Sequence, residues 1–233
     1  MNFKIGKTGA SDYLKLFYLV LSVILVYAEY LRNTDFLYFT KPLLMPVLFC
    51  LYLVNTKKKS VNYYFVLVLF FMWIANVCFI SADEKMLVLG IANTFLSRLF
   101  VLILLLKSGK RPKSIPFLIG TFPFVIIFIT VLQLLNDGLG DAFYFVLLNG
   151  IVVILLGGIS LANYFMVPSR INTYILINVI LFTFMRFIVA IDFYYLSVAI
   201  FRPIAILIFS VAQYIFYLAV VGMNQDSSEK IKQ

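Results

Sequence analysis

The 233 residues are 64% hydrophobic and 12% charged, with a mean hydropathy of +1.04 and a formal net charge of +9. A soluble domain is about half apolar and a quarter charged, so this composition excludes a soluble fold and indicates lipid as the solvent. The basic residues lie mainly between apolar runs, where they orient membrane helices, so the positive charge does not indicate nucleic-acid binding.

Eight apolar runs follow one another along the chain. They cover residues 13–31, 36–54, 62–82, 86–106, 114–135, 142–165, 171–193 and 200–222. A helix needs about 20 apolar residues to cross the hydrocarbon core, and the runs lack the alternating pattern of barrel strands. The sequence therefore predicts an all-α, polytopic transmembrane helix bundle of about eight spans. Residues 1–223 are predicted to form a single integral membrane domain, followed by a short polar cytoplasmic tail over 224–233.

Charged and turn-forming segments separate the runs, notably Lys57–Lys59, Lys107–Lys113 and Asn136–Asp141. With both termini placed inside, thirteen of the 19 Lys and Arg residues fall in cytoplasmic segments and two, Arg32 and Lys85, in the opposite loops. Cytoplasmic loops are enriched in these residues, so the asymmetry predicts that both termini are cytoplasmic and that the span number is even.

Metal and cofactor chemistry is not indicated by the composition. The chain has no histidine, and its two cysteines, Cys50 and Cys78, both lie inside apolar runs. We interpret both cysteines as packing residues and predict neither a disulfide, a metal site nor a cofactor.

Polar residues within the spans are the strongest functional signal. A charge at the bilayer centre costs about 2.5–3.5 kcal/mol on insertion scales, so such residues usually face the bundle interior or a watery cavity. In the predicted orientation, the polar residues in the outer halves of their spans are Glu29, Lys41, Asn76, Arg186, Asp192 and Arg202. We expect these side chains to share one polar chamber near the outer side.

A structural interpretation stands beside the functional one. Glu29 and Arg202 are close enough to span ends to reach the interface. Arg186 is surrounded by apolar neighbours and needs a partner such as Asp192 or Glu29. Asp192 lies six residues beyond Arg186, on a different helix face, so a direct pair requires a kink or an intervening helix.

Two prolines open the second run, in Lys41-Pro42-Leu-Leu-Met-Pro46. Proline lacks a backbone donor, so the pair frees carbonyl groups that a cavity or ligand could use. An N-terminal proline followed by a tolerated kink is the simpler interpretation.

At these residues the chain resembles the YhhN-like family, membrane proteins that include lysoplasmalogenases. Thr40-Lys-Pro-Leu-Leu-Met-Pro46 is similar to the family's Lys-Pro-Leu-x-Met-Pro signature, and Ala212-Gln213 in the last run is similar to its Ala-Gln pair. The eight-span layout also resembles that of the family. The resemblance implies hydrolysis of the vinyl-ether bond of lysoplasmalogens, with membrane-embedded aspartates as acid and base.

The sequence departs from the family pattern at the residues that matter for this chemistry. Ala75-Asn76 stands where the family has Gly-Asp, Met185-Arg186 stands where it has Ser-Asp, and Arg98 replaces a histidine. Vinyl-ether hydrolysis needs a general acid and a base, and neither asparagine nor arginine supplies them at neutral pH. Glu29 and Asp192 are the remaining candidate catalytic residues.

The functional prediction is a divergent family member of the cell membrane that recognises a membrane lipid or lysolipid. The predicted substrate-binding residues are Lys41, Asn76, Arg186, Arg202 and Gln213. Whether the protein is a hydrolase is left open. The alternatives are a small transporter or channel, and a non-catalytic structural protein that packs through Gly157, Gly158 and Ala162.

Overall fold

The structure is a computed structural model that describes residues 5–56, 61–81, 83–108, 112–135 and 143–230. Lys57–Lys59, residues 109–111 of the Lys107–Lys113 segment, and the Asn136–Asp141 turn lie outside the described residues. All statements below concern the described ranges.

Helices account for nearly all of the described chain. They are α1 (Ile5–Leu31), α2 (Thr34–Thr40), a 3₁₀ turn (Lys41–Leu43), α3 (Leu44–Asn55), α4 (Tyr63–Cys78), α5 (Glu84–Ser108), α6 (Ser114–Leu135), α7 (Phe143–Met166), α8 (Arg170–Tyr194) and α9 (Phe201–Lys230). Together, α2, the turn and α3 form one apolar segment, Thr34–Asn55. The described ranges contain no strand, and the predicted all-α polytopic bundle is confirmed.

Within the residues that the structure describes, seven segments are long and apolar enough to cross a membrane, and α4 is the shorter eighth. Its 16 residues give a length of about 24 Å at 1.5 Å per residue, below the roughly 30 Å of a hydrocarbon core. The predicted run reached residue 82, but the helix ends at Cys78 because the chain tightens there, with the Ile80 N–H bonded to the Val77 carbonyl.

The core is formed where helices from both halves of the chain meet. α4 packs beside α5, α6 beside α7 and α8 beside α9, while α1 lies against α3 and α9. Leu25, Leu48, Phe65 and Phe216 are at most 1% exposed. Large apolar side chains also cover the outside, as expected where lipid replaces water.

Glycines let α6 and α7 approach closely. A Cβ atom at Gly158 would lie 2.3 Å from the Thr121 Cγ2 atom, and one at Gly120 would lie 2.7 Å from the Gly158 carbonyl oxygen. Gly157 is packed against Phe124 in the same way. The small-residue face that the sequence offered to a partner protein is therefore occupied by α6 of the same chain.

The second span contains a 3₁₀ turn at Lys41–Leu43, and Pro46 leaves one carbonyl there without its helical donor. In a continuous α-helix the N–H of residue 46 would bond to the carbonyl of residue 42, but Pro46 has no N–H. Trp73 supplies the missing donor, because its indole Nε1–H lies 2.9 Å from the Pro42 carbonyl oxygen. The freed carbonyl thus ties the second span to α4.

The last helix continues beyond the predicted start of the polar tail at residue 224. α9 is helical to Lys230, and the Asn224 Nδ2 group donates a 3.0 Å hydrogen bond to the Tyr52 hydroxyl. Tyr52 is fully buried, so this contact joins the end of α9 to the core of the bundle.

Candidate functional site

A cavity of about 90 Å³ lies at the end of the bundle where α1, α4 and α8 finish and the second span, α5 and α9 begin. Six of the seven predicted site residues line this cavity: Glu29, Lys41, Asn76, Arg186, Asp192 and Arg202. Apolar side chains, including Met72 and Phe209, complete the wall. The structure therefore brings these polar groups together from five segments of the chain.

Glu29 and Lys41 form an ion pair in which Lys41 Nζ donates to Glu29 Oε1 at 2.6 Å. The turn after α1 makes this possible: Arg32 has a φ of 52°, and the Asn33 side chain caps α2 by accepting from the Phe36 N–H. Both charged side chains are about 95% buried. In a buried ion pair of this kind each group neutralises the charge of the other. A ligand could therefore bind either group only after the ion pair is broken.

Asp192 is the centre of a second polar group. It accepts from Arg202 Nε at 2.8 Å and from the Ser197 hydroxyl at 3.2 Å. Arg32 Nη2 in turn donates to Ser197 Oγ at 3.4 Å. Ser197 carried no signal in the sequence because it lies in a loop between two spans, and only the tertiary contact reveals it.

Arg186 differs from the other two cavity cations because it forms no ion pair within the described chain. The prediction that Asp192 or Glu29 pairs with Arg186 is wrong, because each carboxylate is paired with a different cation. The Arg186 Nε atom is buried without a hydrogen-bond partner, and so is Asn76 Nδ2. Unsatisfied donors that face a cavity are the groups that a ligand can pair with.

The cavity carries one excess positive charge. Its described lining contains three cations, Lys41, Arg186 and Arg202, and two carboxylates, Glu29 and Asp192. Because the two carboxylates are neutralised locally by Lys41 and Arg202, the excess is located on Arg186. In a low-dielectric site an unpaired guanidinium favours an anion, which it can bind through two parallel hydrogen bonds.

A second cavity of about 120 Å³ adjoins the first, and Phe79, Arg186 and Val189 line both. Its other walls are mainly apolar side chains from α5, α6, α7 and α8, including Ile91, Phe124, Phe128 and Val153. Asn149 and Thr183 are the uncharged polar side chains in its lining. Arg186 therefore stands where a charged chamber meets an apolar one.

Gln213 is the predicted site residue that the main cavity does not include. It lines a separate, smaller cavity together with Ser97, Arg98 and Asn178. Arg98, which stands where the resemblance placed a histidine, is thus not part of the polar chamber around Arg186.

The fold and the buried polar chamber define this chain as a polytopic α-helical membrane protein with an internal charged site. A family model described as the YhhN family matches residues 36–220, which is most of the chain. The chain belongs to the YhhN family. Neither the curated proteins nor the solved structures gave a match.

Proposed function

We propose that this protein binds a single-chain lipid with an anionic headgroup, such as a lysophospholipid, in a cell membrane. The observation that carries the proposal is Arg186, a cation without a carboxylate partner that faces the polar cavity. A phosphate group would supply the missing negative charge and accept the free guanidinium and Asn76 donors.

The adjoining apolar cavity supports a lipid rather than a free phosphate compound. A single-chain lipid has one charged end and one hydrocarbon chain, and Arg186 lies where the charged and apolar chambers meet. Apolar walls accept a hydrocarbon chain, whereas a free phosphate compound has no group to place against them. The second chamber would therefore favour an amphiphile over its isolated headgroup.

Hydrolysis of the bound lipid is the second candidate, because Glu29 and Asp192 line the same cavity. Each of them already accepts a hydrogen bond from a cation, so proton transfer by either would require an ion pair to open. Asn76 and Arg186 supply no carboxylate at the positions where the family resemblance implies aspartates. We therefore propose that binding is the main activity and that vinyl-ether hydrolysis is slow.

Binding is tested with purified full-length protein and lysophospholipids, comparing the natural chain with Arg186→Met. Removing the unpaired cation should weaken binding about 10- to 100-fold, the range expected for a charged hydrogen bond. Lys85→Met is the matched control, because Lys85 is an exposed cation outside the cavities and should bind as the natural chain does. Equal lysophospholipid binding by the natural protein, Arg186→Met and Lys85→Met would refute the proposed headgroup site at Arg186.

Recognition of the lipid's acyl chain is tested with Ala190→Phe, which adds an aromatic ring inside the apolar cavity. Affinity for long-chain lysolipids should fall more than affinity for short-chain analogues with the same headgroup. An equal loss of affinity for all acyl-chain lengths would show that the acyl chain binds outside this cavity. Such a result would not contradict the headgroup site.

Catalysis is tested by lysoplasmalogen turnover in the natural chain, in Asp192→Asn and Glu29→Gln, and in Asn76→Asp combined with Arg186→Asp. We expect little turnover in the natural chain, since losing an acid or base commonly lowers rates by about 10²- to 10⁴-fold. Robust natural turnover that disappears in Asp192→Asn would assign the chemistry to that carboxylate. Absence of lysolipid binding in every variant would favour a transport or structural function.

A further inference from the structure

A third, smaller polar cavity is distinct from the cavity around Arg186, although Met72 lines both. Ser97 and Arg98 of α5, Asn178 of α8 and Gln213 of α9 contribute its polar lining, and its volume is about 20 Å³. All four side chains belong to residues that are less than 5% exposed. Its polar side chains are therefore buried, and they need hydrogen-bond partners within the cavity.

The hydrogen bonds around this cavity leave several donors unused. Ser97 Oγ donates to the Val68 carbonyl at 3.1 Å, and Asn178 Nδ2 donates to the Ala212 carbonyl at 2.7 Å. In contrast, Arg98 Nε and Nη2 and both polar atoms of the Gln213 amide are buried without a hydrogen-bond partner among the described residues. Two of the four residues, Ser97 and Asn178, thus form hydrogen bonds, whereas Arg98 and Gln213 retain donors without a partner in the described chain.

Arg98 also lacks a neutralising charge within the described chain. In the part of the chain that the structure describes, no carboxylate lines the cavity, and none forms an ion pair with Arg98. The Phe182 ring, 5.3 Å from the Arg98 guanidinium carbon, offers a cation–π contact that is weaker than an ion pair.

A buried charge without a counter-charge is strongly unfavourable, so a group that supplies negative charge is expected here. The cavity limits its size. About 10–15 Å³ of such space holds one water molecule, so 20 Å³ leaves room for one small ion and excludes a phosphate or carboxylate ligand. A water molecule could satisfy the hydrogen bonds but would leave the charge of Arg98 uncompensated.

We propose that this cavity is a halide site, in which one chloride ion is held by the Arg98 guanidinium and the Gln213 amide N–H. The amide oxygen of Gln213 then faces away from the ion, since it would otherwise be repelled. The bound ion offsets the positive charge of Arg98 and stabilises α5 against α9. The proposal does not depend on the lipid site, which is lined by a different set of polar residues.

The test is crystallographic and thermodynamic, and it uses the purified full-length protein. Crystals grown in bromide should show an anomalous peak within hydrogen-bonding distance of the Arg98 guanidinium. In thermal unfolding at constant ionic strength, the Tm of the natural chain should rise as chloride or bromide replaces gluconate, and the rise should saturate. Arg98→Met should abolish this dependence, and Lys85→Met should retain it.

The outcomes separate an ion from a water molecule. The absence of a bromide peak, together with equal Tm values in chloride and gluconate, would overturn the proposal in favour of water. A halide effect of the same size in Arg98→Met would also overturn it, because the ion would then bind elsewhere. If Arg98→Met does not fold, the bromide peak in the natural protein decides the question.

Discussion

The Glu29–Lys41 contact places two opposite charges 2.6 Å apart in a wall that is otherwise mostly apolar. Removing a charge from water is costly, and the cost is recovered only when the partner is present and well placed. The two groups lie at the end of α1 and at the start of the 3₁₀ turn, so their contact also fixes the connection between the first two spans. Each residue therefore depends on the other.

We predict that Lys41→Met destabilises the protein by about 3–5 kcal/mol, because it leaves the Glu29 carboxylate buried and unpaired. The double variant Lys41→Met with Glu29→Leu should recover most of this loss, since an apolar pair needs no counter-charge. Thermal or denaturant unfolding of the purified proteins gives both values.

Asp12→Asn is the control for this experiment, because it breaks the Lys15–Asp12 pair, whose side chains are 43% and 70% exposed. Exposed ion pairs contribute little, so this variant should unfold like the natural protein. A double variant that is less stable than Lys41→Met would contradict the interpretation.

At two places one helix lacks a group that a regular helix would have, and a neighbouring helix supplies the missing contact. Pro46 removes one donor from the second span, and Trp73 of α4 supplies it. Gly158 removes a side chain from α7, and α6 fills the space. In both cases the group missing from one helix allows a specific contact with another helix. This contact determines how the two helices pack.

The Trp73 contact gives a testable coupling between helices. Trp73→Phe should cost about 1 kcal/mol of stability, because the Pro42 carbonyl loses its donor while an aromatic ring is retained. In a Pro46→Ala background the new backbone N–H of residue 46 can bond to that carbonyl, so the same substitution should cost less.

A double-mutant cycle of unfolding free energies measures this difference. If Trp73→Phe costs the same in both backgrounds, the indole donor does not compensate for the proline. Either result can be compared with the stability of Pro46→Ala alone.

The direction of the whole bundle is still a prediction from charge. If α4 did not cross the membrane, the segments on its two sides would lie on the same face, and the thirteen-to-two distribution of Lys and Arg would be lost. Its buried residues, such as Phe65 and Val68, pack inside the bundle.

We predict that single cysteines at Ser60, Ser108 and Gln233 react from the cytoplasmic side, and that those at Ser81 and Ser197 react from the outer side. Cys50 and Cys78 are first replaced by serine to remove background labelling. Membrane-impermeant thiol reagents on sealed cells and inverted vesicles distinguish the two faces. Labelling of Ser60 and Ser81 from the same side would show that α4 does not span.

The sequence was sufficient for those features that depend on the solvent around each segment. Lipid requires long apolar helices, so the positions of the spans follow from local hydropathy, and polar residues at similar depth stand out against that background. The same reasoning placed Glu29, Lys41, Asn76, Arg186, Asp192 and Arg202 at one level of the bundle, where the structure has them around one cavity.

The tertiary structure alone decided how these residues pair. The apolar surroundings of Arg186 suggested Asp192 or Glu29 as its partner, but in the structure Glu29 pairs with Lys41 and Asp192 pairs with Arg202. It likewise separated Gln213 and Arg98 from the main cavity. Sequence periodicity fixes which face of a helix a residue occupies, whereas pairing depends on angstrom-scale distances that only the packing of several helices determines.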